Sequence, residues 1–349
     1  MKEAVTVAII NYNGTQYLKE EIESIYNSDY PRLSIILADD CSTDGSVEFV
    51  KKHFPDVRII TMEKNERLFG KYPLANRVRN VVLRDAETRL VYLLDNDVIL
   101  APDCISRLVE VIEGKDDCGV CTPRVMYSDQ RDTIYADGAL LHFTGTSIVR
   151  NHDKKLSGEP EPPKYSLGCG MQMVDRLLAE KVGYTDPHFV IGWGDDGEFH
   201  HRMNIAGYRC YNVPQAMVYH PRKKAPFATM AHIKNRWWII LTSYAGRTIL
   251  LLAPIFLIYE IVVLFFLLSK GGLGCYFLAI KDIWLHRKAI MESRKRTQSL
   301  RRISDRELLS GGDLFTSTRH VGRNPFTGMG LRLFNGMLAG YWYVVRRLL

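Results

Sequence analysis

Short apolar runs, each closed by a polar turn, organise the first hundred residues. Val5–Ile10 reads as a buried strand, with the turn Asn11-Tyr12-Asn13-Gly14 behind it and a helical stretch from about Gln16 to Asn27. Leu33–Ala38 repeats the pattern and ends in Asp39-Asp40-Cys41-Ser42-Thr43-Asp44-Gly45, after which a helix is expected as far as His53 and a strand over Val57–Thr61. A helix around Leu74–Asp85 then leads into the strand Leu90–Leu94. This β-α-β-α-β alternation predicts a doubly wound α/β sheet. Ligands lie across the carboxyl ends of such strands. Asn11, Asp39 and Asp95 each fall at one of those ends, which groups them as candidate ligand contacts.

From Gly119 to about Tyr219 the pattern is mixed, with short strands and loops rich in Gly, Pro and His. Residues 248–268 are apolar almost throughout, long enough to cross a bilayer, for which roughly 20 residues suffice. Two costs oppose a simple crossing. Glu260 would sit in hydrocarbon, at about 2.5–3.5 kcal/mol. Arg287–Arg306, with eight basic residues against two acidic, would reach the far side, against the positive-inside tendency. A helix lying in the interface, or one dipping in and returning at Pro254, avoids both. Gly328–Leu349 is a second apolar stretch, with Trp342, Tyr343, Arg346 and Arg347 near its end as in an interfacial anchor. The alternative is a buried helix pair in a soluble dimer.

Charge sharpens this division. The chain of 349 residues carries a net +7, but residues 1–240 balance at −3 and residues 241–349 at +10. A basic tail beside an apolar run points to anionic lipid, and the mildly acidic remainder argues against nucleic acid as a partner. Seven cysteines follow no framework spacing, and Cys118-Gly119-Val120-Cys121 lacks a second metal-ligand pair, so it reads as a strand with small residues. Met1 leads almost at once into a strand instead of a leader peptide, so the N-terminal part is expected in the reducing cytosol.

Candidate chemistry sits in two acidic pairs. Asp95 and Asp97 flank Asn96 at a strand end, and alternation puts both on one side, where they repel unless a cation lies between them. Asp195 and Asp196 precede a helix on which Glu198 and Arg202 are four apart. The bland reading there is N-capping by Asp195; the functional one is a general base. Asp39 or Asp44 could likewise cap the next helix, and His200 and His201 read as packing or surface residues. Gly168-Cys169-Gly170 is either a close backbone approach to an acceptor pocket or a plain turn.

With these residues in view, the chain resembles the inverting family 2 glycosyltransferases of GT-A fold, in particular their rhamnosyltransferase-like branch, over roughly residues 4–225. Ala8-Ile9-Ile10-Asn11-Tyr12-Asn13 is similar to that family's first strand and turn, Ala38–Ser46 to its V-D-N-x-S-x-D-G-S, and Val78-Arg79-Asn80 to its A-R-N. Asp95-Asn96-Asp97 matches its D-x-D, Val182–Asp186 resembles V-G-x-F-D-E, and Trp193–Tyr208 resembles W-G-x-E-D-x-E/D…R…A-G-Y. Arg294–Leu309 is similar to the branch's basic tail segment.

The resemblance implies a GT-A nucleotide-diphospho-sugar transferase fold over 1–225 and a helical membrane-associating region over 226–349. It implies donor contacts from Asn11, Asn13, Asp39, Arg79 and Asp95, with Asp39 accepting from the base N3–H. Asp97, Asp95 and His220 are implied ligands of Mg²⁺ or Mn²⁺, Asp196 the general base, and Trp193 and Asp195 acceptor contacts. The expected reaction moves one hexose or deoxyhexose from a UDP- or dTDP-sugar to a lipid-linked or cell-surface glycan acceptor, in polysaccharide biosynthesis at the cytoplasmic face of the membrane. The chain would attach there monotopically or through the segment at 248–268.

Departures from the family pattern are Asn65-Glu66-Arg67 where N-x-G is usual, Asp195 where Glu is commoner, and Ile233-Lys234-Asn235-Arg236-Trp237, which lacks the Gln of the Q-x-x-R-W in processive synthases. The last favours addition of a single sugar. A rival of another class is a non-catalytic, membrane-bound scaffold that binds nucleotide-sugar. A nucleotidyltransferase would be expected to carry a Gly-rich phosphate loop after the first strand, and Asn11–Gly14 is not one.

Overall fold

The computed structural model describes residues 2–159, 161–168, 170–222, 227–314 and 325–349, with side chains in the last segment from 328 onward. The elements run β1 (Val5–Asn11), α1 (Thr15–Tyr26), β2 (Leu33–Asp39), α2 (Ser46–His53), β3 (Arg58–Thr61), β4 (Arg67–Leu68), β5 (Tyr72–Pro73), α3 (Asn76–Asp85), β6 (Leu90–Asp95), β7 (Ile99–Leu100) and α4 (Cys104–Gly114). Next come β8 (Cys118–Tyr127), β9 (Ile134–Ala136), β10 (Ala139–His142), β11 (Ser147–Val149), β12 (Lys164–Tyr165), β13 (Gln172–Asp175), α5 (Arg176–Val182), α6 (Gly197–Ile205) and β14 (Arg209–His220). The tail holds α7 (Ala228–Ser243), α8 (Gly246–Lys270), α9 (Leu273–Leu285), α10 (Arg287–Ser299), α11 (Asp305–Leu308), β15 (Leu309–Ser310) and α12 (Pro325–Val345).

The main sheet has the order β12-β14-β8-β13-β6-β1-β2-β3. β3, β2, β1 and β6 are parallel, and β13 enters antiparallel between β6 and β8. Alternation along β1 explains its two-sided burial. Val7 and Ile9 join a core with Leu18 and Ile22 of α1 and Leu108 of α4, whereas Ala8 joins Val82 of α3, Ala179 of α5 and Phe199 of α6 on the other face. The expected strand over Cys118–Cys121 is the start of β8, which continues to Tyr127.

The tail is built onto this body. A third core joins Leu141 and Phe143 to Trp238 of α7, Phe256 and Tyr259 of α8, Ile290 of α10 and Trp342 of α12. The rings of Phe143 and Trp342 stack at 4.8 Å, so the last helix packs against residues beside β10.

Two expectations about the tail need correction. The chain does not turn back at Pro254. α8 runs through it, because a Pro removes only one N–H and the helix is held along one side by its neighbours; the reversal comes at Gly271, at φ 71, before α9. Nor is the basic segment wholly available to lipid. Arg294 and Arg301 donate to backbone carbonyls at the end of α7, where the helix dipole favours cations.

α8 shows one buried stripe, Thr248, Leu252, Ile255, Phe256, Tyr259 and Leu267, along nearly its whole length. The opposite face, including Leu250, Leu257, Ile261, Phe265 and Leu268, is apolar and exposed. Glu260 does not face that side. It pairs with Arg236 of α7 and accepts from Tyr276 Oη of α9 at 2.7 Å.

Candidate functional site: an acidic cavity at the switch of the sheet

β2 and β3 lie to one side of β1 and β6 to the other, so strand order reverses at β1. At its carboxyl end the Asn11 amide donates to Asp39 Oδ1 (2.7 Å) and Ser42 Oγ (3.1 Å), and its oxygen accepts from Asn96 Nδ2 (2.7 Å). Ser42 donates its N–H to Asp39 Oδ2 (2.9 Å) and its hydroxyl to Oδ1 (2.5 Å). Asn13, at φ 50, accepts from Thr43 N–H (2.8 Å). A Cβ on Gly14 would overlap the amide of Asn96 and the oxygen of Asn11, so glycine there admits the link between the first turn and the D-x-D loop. Asp39 is 1% exposed and holds this turn together, with lone-pair capacity left mainly on Oδ2. Asp44 does the same one turn later, accepting from Thr15 N–H (2.9 Å) and Ser46 N–H (3.1 Å). The divergent Asn65-Glu66-Arg67 leads into the β4–β5 hairpin and lays the Arg67 guanidinium over the Tyr12 ring at 4.8 Å.

Beyond β6 lies a cavity of about 400 Å³, lined by Arg79, Asp95, Trp193, Asp195, Asp196 and His220, with Gly168 and Gly170 in the wall. Cys169 lies outside the described residues. Arg79 of α3 is buried, donates to Asp195 Oδ2 (2.7 Å) and Asn76 Oδ1 (2.8 Å), and sits 3.5 Å from Asp95 Oδ1. One guanidinium thus joins the two acidic motifs, which are a hundred residues apart. Asn76 also donates to the backbone oxygens of Asp186 (2.9 Å) and Asp195 (3.0 Å), and Asn80 to that of Thr185 (2.8 Å). α3 therefore aligns the acidic loop with three side chains. Sequence reasoning missed Asn76, although its spacing from Arg79 and Asn80 puts all three on one helix face.

Asp195 does not cap α6. Asp195 is instead drawn back by Arg79 and by Gly192 N–H (3.2 Å), and the N-cap position falls to Asp196. That leaves Asp196 half-buried on the cavity wall. Burial pushes its carboxyl from 3.8 up to about 6, with Asp195 adding and Arg79 opposing. Burial also raises Asp95, against Arg79 and reinforced by Asp97. Glu198 and Arg202 form the expected pair, fully buried (2.8 Å). His200 and His201 are buried too, so they are packing residues and not surface ones, and burial lowers both to about 3.

His220 Nε2 lies 3.3 Å from Asp97 Oδ1, and its ring stacks on Tyr135 at 5.5 Å. Tyr135, His152 and Asp313 also line the cavity and were not anticipated, because the mixed middle segment and the tail carry no periodic signal for them. Asn11, Asn13 and Asp39 do not line it. The structure thus places them in the neighbouring turn, joined to the cavity through Asn96. Among the described residues no three His, Cys, Asp or Glu side chains form a ready metal cage. The set Asp95, Asp97 and His220 still suits a hard divalent ion completed by ligand oxygens, because the negative charge there exceeds what Arg79 balances.

The Trp193 side of the cavity is held from the tail. Asn235 of α7 donates to the oxygens of Val190 and Trp193 (2.7 Å each), and His232 packs edge-on to Trp193 at 4.7 Å. Arg236 and Trp237, the residues shared with the processive-synthase motif, do not line the cavity.

Residues 6–183, just over half of the chain, match the family described as Glycosyl transferase family 2. The Escherichia coli protein named UDP-Glc:alpha-D-GlcNAc-diphosphoundecaprenol beta-1,3-glucosyltransferase WfaP is 32% identical over 183 residues, covering 52% of this chain and 64% of that protein. The putative teichuronic acid biosynthesis glycosyltransferase TuaG of Bacillus subtilis is 27% identical over 112 residues, 31% of this chain and 42% of TuaG. The crystal structure of GalNAc-T7 with UDP, GalNAc and Mn²⁺ superposes with a TM-score of 0.56 at 18% identity, covering 70% of this chain and 49% of that one. The matched stretches span from 13% to 64% of the curated relatives' own lengths.

Proposed function

The chain belongs to glycosyl transferase family 2 and has the GT-A fold, and from that premise we propose that it moves a single hexose or deoxyhexose from a UDP- or dTDP-sugar to a hydroxyl of a lipid-linked or cell-surface glycan, with inversion. The observation that carries this reading is Asp196. It is a carboxyl on the cavity wall with a raised pKa, set beside a buried Arg79 that already spans both acidic motifs.

In this reading Asp196 accepts the proton of the acceptor hydroxyl as that oxygen attacks the anomeric carbon from the face opposite the leaving group. Arg79 orients the diphosphate and Asp195 keeps Arg79 in place. Trp193 offers the acceptor sugar an apolar face, and Asn11, Asn13 and Asp39 form the turn against which the nucleoside rests. Asp95, Asp97 and His220 would hold Mg²⁺ or Mn²⁺, which when bound neutralises charge on the departing diphosphate.

Residues 1–225 are proposed as the catalytic part and 226–349 as the part that meets the membrane, on its cytoplasmic side. Among the described residues α8 is the one helix long and apolar enough to cross. A monotopic placement is supported by its buried stripe. That stripe packs against the body along the helix, so a crossing would draw the polar side chains of α7 into hydrocarbon. A lipid-linked acceptor is supported by the E. coli relative, named for transfer to a diphosphoundecaprenol-linked sugar. The test is nucleoside diphosphate release from a panel of UDP- and dTDP-sugars with Mn²⁺ and with lipid-linked and free glycan acceptors. Release with one donor and an acceptor supports the reading; donor binding with no turnover in any mixture points to the scaffold alternative.

A further inference from the structure

The loop after α5 and the elbow between α9 and α10 meet at two histidines that the transfer chemistry leaves unused. His188 Nδ1 lies 2.9 Å from Asp186 Oδ1, and His286 Nδ1 lies 2.8 Å from Asp282 Oδ1. Both carboxylates are buried, while the two imidazole side chains are 35% and 39% exposed. The rings stand 5.6 Å apart with planes at 56°. Trp238 stacks on His188 at 5.0 Å and donates its indole N–H to Asp186 Oδ2 at 3.1 Å, which fixes both members of that pair.

This is the spacing and support of a ligand pair. Two imidazoles on one tetrahedral ion, with metal–nitrogen bonds of about 2.1 Å, place their centroids on the order of 5 Å apart. A ligating imidazole commonly gives its other ring N–H to a carboxylate or a backbone carbonyl; here His188 Nδ1 bonds Asp186 Oδ1 and His286 Nδ1 bonds the backbone oxygen of Asp282 at 3.1 Å. No hydrogen bond among the described residues uses either Nε2. Lys234 Nζ, 3.4 Å from Asp282 Oδ2, balances one of the two buried carboxylates. Imidazole donors favour Zn²⁺-like ions over Mg²⁺ or Mn²⁺.

We propose that His188 and His286 bind one borderline divalent transition ion through Nε2, completed by water. The ion clips the loop ahead of the acidic wall to the α9–α10 elbow. This site is separate from the one formed by Asp95, Asp97 and His220, and it does not depend on the transfer reaction.

The test titrates Zn²⁺ alone into the metal-stripped full chain by calorimetry, with Co²⁺ absorption as a report of coordination. Wild type should take up one Zn²⁺ whose affinity falls at least tenfold in His188→Gln and in His286→Gln and is unchanged in Asp97→Asn. Zn²⁺ should raise the melting temperature of wild type and not of the double His variant, whose circular dichroism confirms folding. Mn²⁺ uptake should show the converse dependence, lost in Asp97→Asn and kept in the His variants. Equal Zn²⁺ affinity in the folded double variant, loss of Zn²⁺ binding in Asp97→Asn, or no stoichiometric uptake by wild type would each overturn the proposal.

Discussion

Two buried arginines, each paired with a carboxylate, end in opposite situations. Arg79 meets Asp195 and Asp95, with Asp196 close enough to feel its charge. One cation faces three acids, and the cluster opens into a cavity. Arg236 meets Glu260 alone, with Tyr276 satisfying the other carboxylate oxygen, Thr144 O accepting from the guanidinium at 2.7 Å, and the Tyr259 ring 4.1 Å away. That cluster is closed on itself beneath an apolar helix. A buried ion pair alone is weak evidence of function. Surplus charge of one sign, left facing a cavity, is what distinguishes the first cluster as the candidate site, and the balanced second cluster ties α8 and α9 to α7.

The largest effect expected from this contrast is at Asp196. Asp196→Asn should reduce kcat by about 10³-fold, within the usual range for loss of a general base, with donor affinity changed less than threefold. Initial-rate kinetics and donor calorimetry separate the two; an undiminished kcat would remove the base from Asp196.

Breaking the arginine pairs should destabilise both regions but affect turnover in only one. Arg79→Met and Arg236→Met should each cost about 3–5 kcal/mol in urea unfolding, because each leaves a buried carboxylate uncompensated. Turnover per folded molecule should collapse only in Arg79→Met. Equal activity losses would mean that Arg236 belongs to the same site.

The exposed face of α8 should be separable from both. Leu257 and Phe265 are 64% and 70% exposed, so replacing both with Lys should leave the melting temperature within a few degrees. Burial of each apolar side chain contributes roughly 1.5–3 kcal/mol, so the double variant should lose at least tenfold in sedimentation with anionic vesicles. Unchanged vesicle binding would place the membrane contact elsewhere.

The smallest effect is on stability. A carboxyl raised from 3.8 to about 6 on folding costs stability as pH rises through that interval, because the folded state holds the proton longer. Asp196→Asn should therefore be more stable than wild type at pH 7, by on the order of 1 kcal/mol after allowing for solvent screening of a half-buried group. The same comparison at pH 4 should show little difference.

The N-terminal half was legible because its signals are local. Apolar runs of strand length bounded by Gly and Asp gave β1, β2 and β6 to within a residue or two, and Asp95, Asp195 and Asp196 sit at element ends where the chain must turn. Chemistry that depends on distant pairing was not. Nothing near Glu260 in the chain announces Arg236 or Tyr276, so its charge read as a cost in hydrocarbon instead of a contact to α7. Pro254 read as a hinge because local rules count its missing N–H and not the packing that keeps α8 straight. Tyr135, in the short β9, and His152, in the turn after β11, were invisible for the same reason: the packing of His152 on Tyr135 and of Tyr135 on His220 is set by the sheet.

The pH dependence of kcat/KM tests the central claim most directly, with Asp40 as the control. Burial also pushes Asp40 up to about 6, with Arg67 opposing and Asp39 and Glu66 adding, but it lies in the turn after β2, outside the cavity lining. The account predicts a rate that rises with pH through an apparent pKa of about 6, a limb that survives in Asp40→Asn and is absent from the residual activity of Asp196→Asn. A limb that disappears with Asp40 and persists without Asp196 would contradict it.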